Sequence, residues 1–274
     1  MVTKRRGETI KVATFASPSF LINQGSLQNL DPRQRAIQNE IESFRERFFH
    51  LEARCRGLVA NFQMLKPLLK NEGFKKRLPR EGKGKIAWRL TMLLFDACIL
   101  DCCALLEDKD PTNPSLRVLV HPFLRGNREE NREFLERLAN FHLQRSVNKR
   151  PRATRRRRFD QGVERLTLDW GVLTKANQKL TIVRRKLIAH HELEYDPVTK
   201  SFSEIKLPNM GEIYDCLEKA IAVISRSLTR LSFLLMDADI TLKVFERVIK
   251  EDVANFWDLK AVNRAANAGK RAPQ

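Results

Sequence analysis

VERLTLDWGVLTKANQKLTIVRRKLIAHH, residues 163–191, sets Leu166, Trp170, Leu173, Leu180, Val183 and Leu187 along one stripe. Apolar positions that recur at three, four and seven residues follow the turn of an α-helix, so the stretch predicts one long amphipathic helix. Such a stripe is stable only against another apolar surface. The helix is therefore expected to sit in a bundle, and its partners are sought on either side of it in the chain.

Toward the N-terminus, RQRAIQNEIESFRERFFHLEARCRGLVANFQMLKPLL carries Ile37, Ile41, Phe44, Phe48, Leu51, Cys55, Leu58 and Phe62 at the same period. This predicts a second long helix, with Asp31 as N-cap and Pro32 in its first position. KNEGFKKRLPREGKGK then reads as a basic loop. From Ile86, IAWRLTMLLFDACILDCCALLED is apolar around nearly its whole circumference. It predicts a helix covered on most sides, with Trp88, Met92, Phe95, Ile99, Cys102 and Leu106 as its main stripe. Asp96 and Asp101 interrupt that helix, and each needs a donor or a cation because a buried unpaired charge is costly. Two shorter helices follow, the second over NREENREFLERLANFHLQR, with an acidic start and a basic end. RSVNKRPRATRRRR, residues 145–158, then holds eight basic residues and no acidic one. It reads as a basic loop over 143–159, either simply solvated or in contact with a phosphate backbone.

Toward the C-terminus, ELEYDPVTKSFSEIK predicts a small hairpin that turns at Asp196-Pro197. NMGEIYDCLEKAIAVISRSLTRLSFLLM predicts a last long helix capped by Asn209. The expected fold class is all-α, a bundle of long antiparallel helices with one small β-hairpin after the motif helix. Residues 1–31 are expected to form a flexible arm, 32–250 the bundle, and 251–274 a frayed tail.

Composition narrows the function. A chain of 274 residues that is 42% hydrophobic can bury a sizeable core. Lysine and arginine outnumber aspartate and glutamate 51 to 33, a formal charge of +18. That excess predicts attraction to nucleic acid. The five cysteines are odd in number and lack metal-site spacing, which fits a reducing compartment. Without a continuous apolar leader or a run of spanning length, the chain is expected to be cytoplasmic, with no membrane partner. The acidic EDKD, residues 107–110, reads as solvated punctuation, and GKGK, residues 82–85, lacks Walker spacing. Cys102 and Cys103 read as core residues.

The chemistry-bearing residues gather at RRKLIAHHE, 184–192. Basic side chains and histidines are favoured in the last turn of any helix by its dipole, so a solvated helix end is the ordinary explanation. At about 100° per residue, Arg184 and His190 lie about 120° apart on a continuous helix, whereas Arg184 and His191 share a face.

Arg184-x-Lys186-x-x-Ala189-His190, ending a long helix and preceded by FDACILDCCALLEDKDPTNPSLRVLV, resembles the HEPN superfamily, and within it the abortive-infection U-type branch. The resemblance covers roughly residues 85–240. Arg185 stands where that motif more often has Asn, Asp or His. The resemblance implies a metal-independent endoribonuclease without a cofactor, acting at the interface of a homodimer in phage defence or a system of the toxin and antitoxin kind. It implies Arg184 and His190 as catalytic, with His191 as the substitute for His190. Lys186 and Arg185 would contact phosphate, and Asp96 would orient Arg184. Arg150, Arg152, Arg155, Arg156, Arg157 and Arg158 would hold RNA without sequence preference. A neutralising antitoxin or a defence partner is a further implied partner. Two rivals remain open: a HEPN-like nucleotide-binding or regulatory module without nuclease activity, and an RNA-binding scaffold whose affinity comes from charge alone.

Overall fold

Leu166, Leu173, Leu180 and Val183 are all buried along one side of a 36-residue helix in the computed structural model. The structure describes residues 32–80, 82–110, 112–124, 129–145, 151–187, 193–196, 201–204, 209–236 and 242–258. The expected arm over 1–31, with the Asp31 cap, lies outside these residues, as does the tail from 259. The chain divides into two units, Met1–Glu40 and Ile41–Gln274. Residues 32–40 of the first are helical, and the residues that bear on function lie in the second.

The described helices are α1 (Pro32–Lys70), α2 (Glu72–Arg80), α3 (Gly84–Glu107), α4 (Leu116–Leu124), α5 (Glu129–Arg145), α6 (Arg152–Leu187), α7 (Met210–Met236) and α8 (Leu242–Phe256). Between α6 and α7, β1 (Leu193–Asp196) pairs antiparallel with β2 (Ser201–Glu204), Leu193 opposite Glu204 and Asp196 opposite Ser201. The fold is all-α with this one hairpin among the described residues.

From Ile41 onward, α1 buries Phe48, Leu51, Cys55, Leu58 and Phe62. It runs antiparallel to α7: Arg45 donates to the Leu235 carbonyl at 3.0 and 3.1 Å, and Lys66 meets Glu218 at 2.7 Å. Phe62 stacks on Tyr214 with ring centroids 5.3 Å apart. α7 is also antiparallel to α6, since Arg158 lies over Phe233 near one end and the Cys216 thiol donates to the Ala176 carbonyl further along. Asp169 is buried between these two helices, where its charge is answered by Arg230 and, at 3.7 Å, by Arg226. Asn209 caps α7 as expected, accepting from the Glu212 amide at 2.9 Å while its own amide donates to the Glu212 carboxylate.

Four expectations are corrected. Within the expected loop between the first two long helices, residues 72–80 form α2: Asn71 caps it by accepting from the Phe74 amide at 2.9 Å, and Phe74 and Leu78 join Leu68 and Ala87 in a small core. The basic loop expected over 143–159 is mostly helix, because α5 runs to Arg145 and α6 already begins at Arg152. Residues 251–256, expected in a frayed tail, are helical: α8 continues to Phe256, and Trp257 then packs edge-on against Phe74 at 5.1 Å. Trp88, placed on the inner stripe of α3, is 60% exposed, since it sits in the helix's second turn, ahead of most of its buried positions.

The cysteines give a direct check on this packing. Cys55, Cys98, Cys102 and Cys103 are buried, and burial raises their thiol pKa values, Cys98 to about 12 and Cys103 to about 11. Cys216 is half-buried. Thiolate is the reactive form. Native protein treated with iodoacetamide at pH 8 is therefore expected to take up at most one label, at Cys216, and denatured protein five, as read by intact mass.

Candidate functional site

Glu107 is the last residue of α3, and the backbone turns extended at Asp108. Asp108 and Asp110 build the turn that follows: Asp108 accepts from the Asp110 amide and the Asn113 side chain, and Asp110 from the Thr112 amide. Ser115 joins this turn to α4, donating to the Asp108 carbonyl at 2.8 Å and accepting from the Val118 amide at 3.2 Å. Of the acidic cluster 107–110, two carboxylates are turn residues as expected. Glu107 is different.

A carboxylate at a helix C-terminus faces unpaired carbonyls and the negative end of the dipole, so it needs donors from elsewhere. α6 supplies three. Arg184 Nη1 lies 2.6 Å from Glu107 Oε2, Asn177 Nδ2 donates to Oε1 at 3.2 Å, and the Thr181 hydroxyl donates to the same oxygen. Residues 177, 181 and 184 are four and three positions apart, which puts them on one face of the helix. Glu107 thus fixes one edge of the Arg184 guanidinium. The fork has five N–H donors, and the side chain, 32% exposed, keeps part of it open to an anion.

Asp96, the expected partner of Arg184, does not fill that role. It lies 11 residues before Glu107, roughly 16 Å along α3 at about 1.5 Å per residue. Its Oδ1 is buried without a hydrogen-bond partner, and burial pushes its carboxyl pKa upward. Cys103, one turn before Glu107, is no nucleophile: burial first, then the Glu107 carboxylate, raise its thiol to about 11 against the opposing pull of Arg184 and the Thr181 hydroxyl.

Arg185 is exposed at the end of α6. His190, His191 and the Lys186 side chain lie outside the described residues, so the pairing of Arg184 with a histidine is not described. Arg150 lies outside them as well. Three arginines of the basic run are committed within the bundle. Arg155 donates to the Leu143 carbonyl at 2.6 Å, Arg156 forks onto Glu136 with both bonds at 2.7 Å, and Arg158 covers the Phe233 ring. Arg152 and Arg157 are exposed. Arg152–Arg158 start α6, roughly 40 Å or more along the helix from Arg184, so these arginines cannot share one phosphate with the motif of their own chain.

Glu107, Asn177 and Thr181 were missed in the sequence. The only signal was three polar side chains at helical spacing beside the buried Leu180 and Val183. No group of three or more His, Cys, Asp or Glu side chains among the described residues is set to hold a metal ion. No helix among them is long and apolar enough to cross a membrane.

A family model described as AbiU2, from the HEPN group, matches residues 36–255. The match includes Glu107, Asn177, Thr181 and Arg184. No curated protein and no solved structure matches the chain.

Two substitutions separate the roles of the carboxylates. Glu107→Ala leaves three donors without their acceptor and is expected to lower stability by about 1–3 kcal/mol in urea unfolding. Asp96 behaves oppositely. Its folded pKa is raised, so the ionised form is penalised in the native state once pH exceeds the unfolded value of about 3.9. Asp96→Asn is therefore expected to raise Tm at pH 7, with the gain shrinking as pH is lowered toward 4.

Proposed function

Because the chain belongs to the AbiU2 family of HEPN proteins, we propose that it is a metal-independent endoribonuclease of abortive infection, with Arg184 and His190 as catalytic residues and His191 as the substitute. The observation that carries this reading is the Arg184–Glu107 pair, 2.6 Å apart at the junction of α3 and α6. A solvated helix end needs no such partner. An arginine held by a carboxylate, itself held by Asn177 and Thr181, is preorganised to meet negative charge at a fixed place.

In the proposed reaction the ribose 2′-hydroxyl attacks the adjacent phosphorus, and the P–O5′ bond breaks. One histidine takes the 2′-hydroxyl proton, and a protonated histidine gives one to the leaving 5′-oxygen. The products are a 2′,3′-cyclic phosphate and a 5′-hydroxyl. Imidazole suits both transfers because it titrates near neutrality. Arg184 steadies the charge that builds on the phosphate oxygens, and Arg185 and Lys186 draw the strand in. DNA, without the 2′-hydroxyl, would be bound and left intact.

Two motifs facing one cleft require a homodimer, and the outer face of α3 favours one. Ile86, Leu93 and Leu100 are one heptad apart and are 71%, 67% and 41% exposed. Seven-residue spacing puts them on one side of the helix. The sequence makes α3 apolar on nearly all sides, yet the bundle covers only part of it. A twofold-related copy of the same stripe is the simplest cover.

The test is cleavage of a mixed RNA pool in EDTA. Wild type is expected to leave cyclic phosphate ends. Arg184→Ala should cut about 10²–10³-fold more slowly, and His190→Ala about 10²–10⁴-fold. Full activity in a His190→Ala, His191→Ala double variant removes the catalytic assignment, and folded protein that binds RNA without cutting it favours the inactive module. Leu93→Glu is expected to yield a monomer by light scattering and to lose cleavage along with the dimer.

A further inference from the structure

Beside the Glu107 network, α3, α4 and α6 enclose a cleft of about 180 Å³. Its walls are Leu106 of α3, Arg117 and His121 of α4, and Trp170, Thr174 and Asn177 of α6. Clefts that take a whole drug-sized ligand start at about 300 Å³. This one fits a single flat ring system, with anything attached to the ring left outside.

Its lining has the chemistry of such a guest. Trp170 is half-buried and offers an indole surface, and Leu106 adds an apolar wall. Arg117 and His121 are one turn apart on α4, so both can face the same rim. The Thr174 hydroxyl donates to the Trp170 carbonyl at 3.0 Å and keeps its own acceptor capacity. Asn177 is oriented without ambiguity, because the atom facing a carboxylate must be the donating Nδ2. Its Oδ1 is therefore turned away from Glu107, where it is buried without a hydrogen-bond partner. An aromatic face, a few edge-reading polar groups and a cation at the mouth are how single-stranded RNA bases are held.

Position ties the cleft to the motif. Asn177 lines the cleft and also donates to the Glu107 carboxylate that holds Arg184. Along α6, Asn177 at one end of the cleft is about 10 Å from Arg184 and Trp170 at the other about 21 Å, so the cleft lies two to three nucleotides from the motif.

We infer that this cleft is a base-recognition subsite, which takes one unstacked nucleobase of the RNA strand whose phosphate lies at Arg184. The base inserts beside the Trp170 ring, and Arg117 holds the sugar-phosphate outside. This rests on the endoribonuclease reading for its strand, and it adds what that reading lacks, a source of sequence preference near the cut.

Binding separates the two, because it needs no cleavage. The probe is a set of fluorescently labelled tetranucleotides with 2′-O-methyl riboses, which offer no attacking hydroxyl, read by anisotropy with the full-length protein. Wild type is expected to prefer some bases at one position. Trp170→Ala should bind about 10-fold or more weakly and lose that preference, while Trp170→Phe, which keeps a ring, retains most of both. Arg184→Ala should weaken all sequences alike and leave the preference in place. Thr174→Tyr fills the cleft from an exposed position and serves if Trp170→Ala fails to fold; the same loss is expected.

Unchanged affinity and preference in folded Trp170→Ala or Thr174→Tyr overturns the subsite. So does a free nucleoside monophosphate that competes as well as the tetranucleotides, since the site would then serve a free nucleotide. RNA cleavage by wild type with no base preference in binding overturns the subsite and leaves the nuclease reading standing. Base-selective binding lost in Trp170→Ala, with no cleavage of any RNA, upholds the subsite and removes the nuclease.

Discussion

The rotational setting of α6 is the constraint on which the rest of the molecule depends. Leu166, Leu173, Leu180 and Val183 are buried on one side of it, and full burial of each such side chain contributes about 1.5–3 kcal/mol. Together they outweigh any preference of the surface residues. A helix turns about 100° per residue, so fixing this stripe fixes every other side chain. Asn177, Thr181 and Arg184 then emerge at the border facing the end of α3, where Glu107 collects them. A one-residue slip would swing Arg184 away and drive polar side chains into the core. Asp169 sharpens the choice of setting, because its buried carboxylate is tolerable only where Arg230 meets it.

How much of this was legible follows from which residues carry local signals. The α6 stripe and the Asn209 cap of α7 are written in adjacent turns, and both could be read directly. α2 was hidden because Gly73, Pro79 and its lysines and arginines mimic a loop. Its helix is held by Phe74 and Leu78 packing with Leu68 and Ala87 of the flanking helices and with Trp257 from the far end of the chain, a contact that no local pattern announces. The arginines of 152–158 misled by charge. Arginine is a good helix former, Pro151 suits a helix start, and partners on α5 and α7 engage three of the five arginines, Arg155, Arg156 and Arg158. At the site, Arg184 was legible from its place in a motif. Glu107 was not, because in sequence it is one of three carboxylates in four residues, and only the meeting of two helix ends sets it apart from Asp108 and Asp110.

α3 shows why a nearly all-apolar helix need not be buried by its own chain. One side packs Phe95, Cys98, Ile99, Cys102 and Cys103 into the core. The opposite side presents Ile86, Leu93 and Leu100 outward. Isolated exposed leucines are ordinary, but a regular stripe of them marks a contact surface. Under the proposed dimer both halves of α3 are used, the inner face for folding and the outer for assembly. The helix that ends in Glu107 would then also position the second protomer, coupling association to the setting of the arginine.

The distribution of charge bears on how RNA would be gripped. A net +18 attracts a polyanion from a distance, but screening limits that field to about 10 Å at moderate salt. The densest basic run lies roughly 40 Å from Arg184 along α6, and three of its arginines already serve the bundle. That run cannot position a scissile phosphate at its own chain's motif. Positioning has to come from groups within a nucleotide or two of Arg184, held as firmly as Arg184 itself is. Asn177 meets this condition, joined to Glu107 and about 10 Å from Arg184 along α6, and the cleft it lines extends from there toward Trp170, about 21 Å away. Under the proposed function, long-range attraction and local selection would fall to different parts of the same helix, and only the second would discriminate one base from another.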